Sequence, residues 1–136
     1  MKPGEAIKTC FSKYADFKGR APLPEFWWWA LFVGAVGAAV FAMNLVLAGF
    51  FLLATLVPSA AASSRRLHDT NRSGWWTLLA LIPFPGLAFL AALLVFQGTT
   101  GANRFGPDPL GREATRPTPP MPNETVKSVA EWQDRR

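Results

Sequence analysis

The stretch FWWWALFVGAVGAAVFAMNLVLAGFFLLATLVPSAAASS, residues 26–64, runs for 39 positions without an Asp, Glu, Lys or Arg. A soluble fold spreads charge over every surface helix, whereas an uncharged run of this length is the mark of a segment solvated by lipid. A single helix over it would be about 58 Å long at ~1.5 Å per residue. The hydrocarbon core of a bilayer is only ~30 Å thick. Two crossings therefore fit better, at about 27–44 and 47–64, with a turn somewhere between Asn44 and Gly49.

Charge on either side agrees. The segment before Phe26 carries five Lys/Arg against three acids, and residues 65–72 carry three Arg against one Asp. Two crossings put both basic segments on the cytoplasmic side, as the positive-inside tendency asks; one crossing would separate them. A second uncharged run extends from Ser73 to Asn103, so all the charged residues of this 136-residue chain lie outside the two runs. Residues 75–97 are long enough for one more crossing. Pro83, Pro85 and Gly86 interrupt it, which reads as a kinked single span that sends the C-terminus outside. The competing reading is a re-entrant loop with both ends on one side.

Ahead of the first run, Ile7, Cys10, Phe11, Tyr14 and Phe17 recur at helical spacing, with Glu5, Lys8, Thr9, Ser12, Lys13 and Asp16 on the other face. Residues 5–18 are expected to form an amphipathic helix lying on the membrane surface, stopped by Gly19, Pro22 and Pro24. A helix packed on a protein partner is the alternative. The eight charged residues among the first 25 do not make the short basic start of a cleavable signal peptide. Trp27, Trp28 and Trp29 open the first run, and Trp75 and Trp76 open the second; indole rings favour the headgroup level, so all five read as interface anchors. Ala30, Gly34 and Ala38 recur every four residues, a spacing that lets helices approach closely or simply reflects the small residues common in spans.

The expected architecture is thus all-α and integral to the membrane: a membrane domain over 1–110 with an interfacial helix and three spans, followed by a hydrophilic, proline-rich, disordered tail over 111–136. In that tail Pro117 and Pro120 have polyproline-ligand spacing, Asn123–Thr125 matches a glycosylation sequon, and 124–134 could form a short helix with Trp132 at the membrane. With one Cys and one His, neither an internal disulfide nor a zinc site is expected, and no cofactor is implied. The net charge of +5 belongs to membrane flanks that meet anionic lipid, so nucleic acid is not expected as a partner.

The densest chemistry lies in RRLHDTNRSGWW, residues 65–76. If helical, it puts Arg65, His68, Asp69 and Arg72 on one face, with Arg66 beside them. Guanidinium forks match phosphate oxygens, and a lipid headgroup is the nearest phosphate. Asp69 would orient His68 or pair with Arg65 or Arg72. The plainer reading is a basic loop that fixes orientation. No catalytic residue is assigned, because a His–Asp pair without a specified nucleophile or metal is half a mechanism.

These residues resemble a known family. Phe11, Tyr14, Phe17, Gly19, Arg20, Glu25, Phe26 and Trp27 are similar to its N-terminal signature; Arg65–Asp69 and Arg72–Trp76 to its central motif; and Asn103, Arg104, Phe105, Gly106, Asp108 and Pro109 to its closing motif. The family is domain of unknown function 805, small bacterial inner-membrane proteins, and the resemblance covers roughly residues 8–110. Leu23 and Pro24 stand where the family often has a second basic residue, Asn71 stands where glycine is frequent, and the first connector is short. The resemblance implies multi-pass residence in the bacterial inner membrane and no established activity. The expected function is a non-enzymatic membrane protein whose Arg/His/Asp face contacts anionic headgroups, copies of itself or other membrane proteins. The alternatives are a small transporter or channel subunit, for which Asn44 and a few Ser/Thr are the only polar groups in the spans, and an enzyme acting on a lipid-linked phosphate.

Overall fold

The computed structural model describes residues 1–112, and among these the regular structure is entirely helical. Helix α1 spans Pro3–Ser12, α2 spans Leu23–Met43 and α3 spans Leu45–Asp69; a 3-10 helix over Gly74–Leu81 and α4 over Pro85–Val95 follow. The segment 113–136, with its polyproline spacing, sequon and short helix expected above, lies outside the described residues.

Helices α2 and α3 form an antiparallel hairpin whose entire connection is Asn44. An extended backbone at Asn44 breaks the helix, and its side-chain oxygen then accepts from the Val46 and Leu47 N–H groups at 2.8 and 3.2 Å. One polar residue thus caps the new helix and satisfies donors that lipid could not. Register is set along the whole length: Phe51 packs at Gly37, Trp29 Nε1 donates to Ser59 Oγ at 3.2 Å, and Arg65 pairs with Glu25 at 2.5 Å. At about 32 and 38 Å, both helices are long enough to cross a bilayer. Most of their apolar side chains, Leu31, Phe41, Leu52 and Leu53 among them, remain exposed, unlike those of a soluble core helix.

The third run is not one continuous helix. The 3-10 helix and α4 are each about 16 Å long, half a bilayer core. They pack on each other and turn at Pro83–Pro85, where Phe84 takes a positive φ of 61° at a fully exposed tip. Both ends come back to one end of α3. A Cβ on Gly74 would overlap Ser64 Oγ, and one on Gly98 would overlap the Asp69 carboxylate, so both glycines mark close backbone approaches to α3. The kinked span expected over 75–97 is therefore corrected to a helical hairpin, and the segment after it ends beside the start of α2. Two proline-flanked halves of this length hold one another more readily than either could reach across.

Helix α1 also departs from expectation. It ends at Ser12, not at residue 18, and part of its apolar face packs on protein. Ala6 and Cys10 are fully buried, and Phe11 meets Trp29 and Phe32 edge-on at 5.1 and 6.1 Å. Beyond it, residues 13–20 run irregularly along α3. Trp29 is corrected in the same way: it is buried between α1 and α3, while Trp27, Trp28, Trp75 and Trp76 stay exposed. Adjacent helix positions point about 100° apart, so three consecutive tryptophans cannot share one surface.

Candidate functional site

The three motifs meet at the end of α3 where the Gly74–Val95 hairpin closes. Asp69 is the hub. Its carboxylate takes Arg66 at 2.5 Å from its own helix and Arg20 at 2.9 Å from the chain preceding α2. Its backbone carbonyl accepts from Thr99 N at 2.8 Å, and from the Thr99 hydroxyl. Arg20 continues into the returning chain, donating to the Thr99 and Gly101 carbonyls at 2.5 and 2.6 Å. Arg66 reaches the other way, to the carbonyls of Leu94 and Phe96. These lie at the C-terminus of α4, where the carbonyls have no helical partner and the helix dipole favours a cation. Arg65 binds Glu25, and Ala21 N donates to the Arg65 carbonyl at 3.0 Å.

Burial decides what this lattice is for. Arg65 and Arg66 are 0% exposed and Asp69 is 2% exposed. Ions this deep are held when paired, and removal of one partner costs about 3–5 kcal/mol; each of these ions has an ionic partner, although Arg65 Nε has no hydrogen-bond partner among the described residues. Three cations stand against the two carboxylates of Glu25 and Asp69; the carbonyls of Leu94, Phe96, Thr99 and Gly101 supply the remaining negative potential. The arrangement fastens the N-terminal segment, α3 and the returning chain together. As folded here, Arg65 and Arg66 are closed off from any headgroup, which corrects the expectation that both line an accessible face.

The other expected residues fall at the rim. Helix α3 stops at Asp69, Asn71 turns the chain with a positive φ of 59°, and Arg72 leaves the helix face predicted for it. Asn, like the glycine common at that place in the family, tolerates this turn. Arg72 lies 5.3 Å from the Phe96 ring, and its Nη1 is buried without a hydrogen-bond partner. His68 is stacked flat on Phe105, with centroids 3.9 Å apart, and Arg104 lies 4.7 Å over the same ring. His68 Nδ1 is 3.1 Å from the Gly19 carbonyl, which can only accept, so Nδ1 carries the proton and Nε2 is free to accept. Asp69 therefore does not orient His68.

Sequence reasoning assigned no role to Arg20, Glu25, Thr99, Asn103, Phe105, Asp108 or Arg112. Asn103 Nδ2 donates to the His68 carbonyl at 2.9 Å. Arg112 clasps Asp108 at 2.7 Å and donates to the Thr99 carbonyl at 3.0 Å. This hydrogen bond from Arg112 holds the Asp108 carboxyl down at about 2. Burial, helped by the Glu25 carboxylate, pushes the Cys10 thiol above its ordinary value. The available signal was the presence of most of these residues inside the three quoted motifs, whose meeting in space no spacing could announce.

The family model described as protein of unknown function (DUF805) matches residues 14–107, a range that takes in all three motifs except Phe11 at one end and Asp108–Pro109 at the other. Inner membrane protein YhaI of Escherichia coli strain K12 is 42% identical over 108 residues, covering 74% of this chain and 92% of the relative. Inner membrane protein YhaH of the same strain is 38% identical over 107 residues, covering 71% and 88%. No solved structure matches.

Proposed function

The chain belongs to the DUF805 family of proteins of unknown function, and from that premise we propose that it is an inner-membrane protein that binds anionic headgroups at one rim. Helices α2 and α3 cross the bilayer, and the Gly74–Val95 hairpin re-enters it from the cytoplasmic side. Support for the setting comes from the relatives named inner membrane proteins and from the exposed apolar flanks of α2 and α3. The basic residues before α2, the three arginines of 65–72, and Arg104 and Arg112 then share one side, which the positive-inside tendency makes cytoplasmic. Helix α1 lies at that interface against α2, with Lys8 and Lys13 exposed and Trp27, Trp28, Trp75 and Trp76 available as anchors.

The observation that carries the headgroup reading is Arg72 Nη1, a buried cationic donor at the rim with no partner among the described residues; the other unmet guanidinium donor, Arg65 Nε, belongs to a side chain with no exposed surface. Such a donor is costly to leave unmet and suits a phosphate oxygen. Exposed Arg104 stands near it, with its guanidinium bound to the Asn71 carbonyl at 3.2 Å. The role is binding, not catalysis: the buried charges are spent on one another.

Purified full-length protein tests this by counting the phosphatidylglycerol molecules it retains in native mass spectrometry. Arg72→Gln is expected to lower retention several-fold without changing thermal stability; equal retention overturns the reading. Paired reporters fused after Arg136 test the setting. Activity on the cytoplasmic side is expected, and activity outside rules out the re-entrant hairpin.

A further inference from the structure

A cleft of about 550 Å³ opens beside α3. It follows α3 from Ala60 to His68, about 12 Å. Along α3 its wall passes from Ala60 through Ser64 to His68, which stacks on Phe105; Phe17, Ser73 and Leu78 also line it. Among the described residues, no Lys, Arg, Asp or Glu lines it.

Polar groups on the wall are incompletely used. Ser64 Oγ and His68 Nε2 both face the Cα of Gly74, where a Cβ would strike the first and lie 3.1 Å from the second. His68 Nδ1 is committed to the Gly19 carbonyl, so Nε2 offers a lone pair. Thr77 Oγ1, also on the wall, is buried with no hydrogen-bond partner. The site therefore asks for a group that both donates and accepts, which a hydroxyl does. A phosphate would meet the Nε2 lone pair with no cation on the described wall, the charge of Arg104 reaching His68 only from over the Phe105 ring, and would carry a desolvation cost. The volume lies in the range of small-ligand sites.

We propose that this cleft holds one membrane lipid with an uncharged, hydroxyl-bearing head, of the diacylglycerol type. The hydroxyl lies among His68, Ser64 and Thr77, and the acyl chains leave past Ala60 and Leu78 into the bilayer. This rests on the membrane placement proposed above and is independent of the Arg72 headgroup contact.

The test uses the full chain in phosphatidylcholine nanodiscs with photoactivatable diacylglycerol, and photoactivatable phosphatidylglycerol in a parallel sample. Diacylglycerol is expected to label the peptide carrying Trp75 and Leu78. Ala60→Phe, which fills the cleft, should cut that labelling about tenfold or more, in line with the cost of overpacking. Thr77→Val, nearly the same shape, should cut it about threefold to tenfold, the worth of one hydrogen bond. Arg72→Gln should leave it unchanged, which separates failure here from failure of the headgroup reading. Labelling indifferent to both cleft variants overturns the proposal, as does equal labelling of the cleft by phosphatidylglycerol. If Ala60→Phe does not fold, Thr77→Val decides alone.

Discussion

Tyr14 donates its hydroxyl proton to the Ala54 carbonyl at 2.6 Å, and that carbonyl is the one Pro58 leaves without a helical partner. Proline has no N–H, so the i to i−4 bond from residue 58 to residue 54 is missing. With α3 crossing the bilayer as proposed, no water would replace it. The irregular segment after α1 places a phenol there, which accounts for α1 ending at Ser12 instead of continuing to residue 18. Tyr14→Phe is expected to destabilise the protein by about 1–3 kcal/mol. In a Pro58→Ala background the residue 58 N–H returns and the same change should cost less. A double-mutant cycle on thermal unfolding in detergent measures the difference; additive effects would reject the pairing.

The lattice at the hairpin mouth makes a second cycle informative. Arg65→Met strands Glu25, which is 3% exposed, and should cost about 3–5 kcal/mol. Arg65→Met combined with Glu25→Leu removes both charges and should recover much of that loss. Accumulation in membranes together with the unfolding midpoint reads the outcome; a double variant no better than the single one would mean that the two side chains are not each other's main partner.

Gly98 is fixed by approach, not by backbone angle. A Cβ there overlaps the Asp69 carboxylate, so Gly98→Ala must push the returning chain away from Arg20 and Asp69. A loss of about 2–4 kcal/mol is expected, as for strained overpacking with a weakened buried ion pair. Gly4→Ala, which meets nothing within 4 Å, serves as the neutral control. Equal melting of the two variants would argue against the close approach.

Asp108 gives the pH dependence. Its carboxyl sits at about 2 in the folded protein because Arg112 hydrogen-bonds the charged form, against an ordinary value near 3.8. A depressed carboxyl stabilises the fold fully above its unfolded value and ceases to do so as pH falls through the folded one. The stability difference between wild type and Asp108→Asn should therefore be constant above about pH 5 and shrink between about pH 4 and pH 2. Unfolding midpoints across that range test it. A difference that does not change with pH would assign the effect of the variant to lost shape and not to lost charge.

The sequence by itself determined the lipid-facing character of residues 26–64, because an uncharged run of that length is a local property readable one residue at a time. It also bracketed the break between Asn44 and Gly49, since two helices of bilayer length leave little choice of where to turn, and the structure places it at Asn44. The three motifs were legible as motifs, and the family with them. Their meeting was not. Whether Pro83–Gly86 kinks one span or folds two short halves together depends on whether the far end finds partners, and those partners, Arg20, Arg66 and Asp69, lie from about 30 to 80 positions away from the returning chain. The same distance hid the burial of Arg65 and Arg66. An arginine beside a bilayer reads as a surface charge until another segment brings a carboxylate and a set of carbonyls to it, and only the tertiary structure does that.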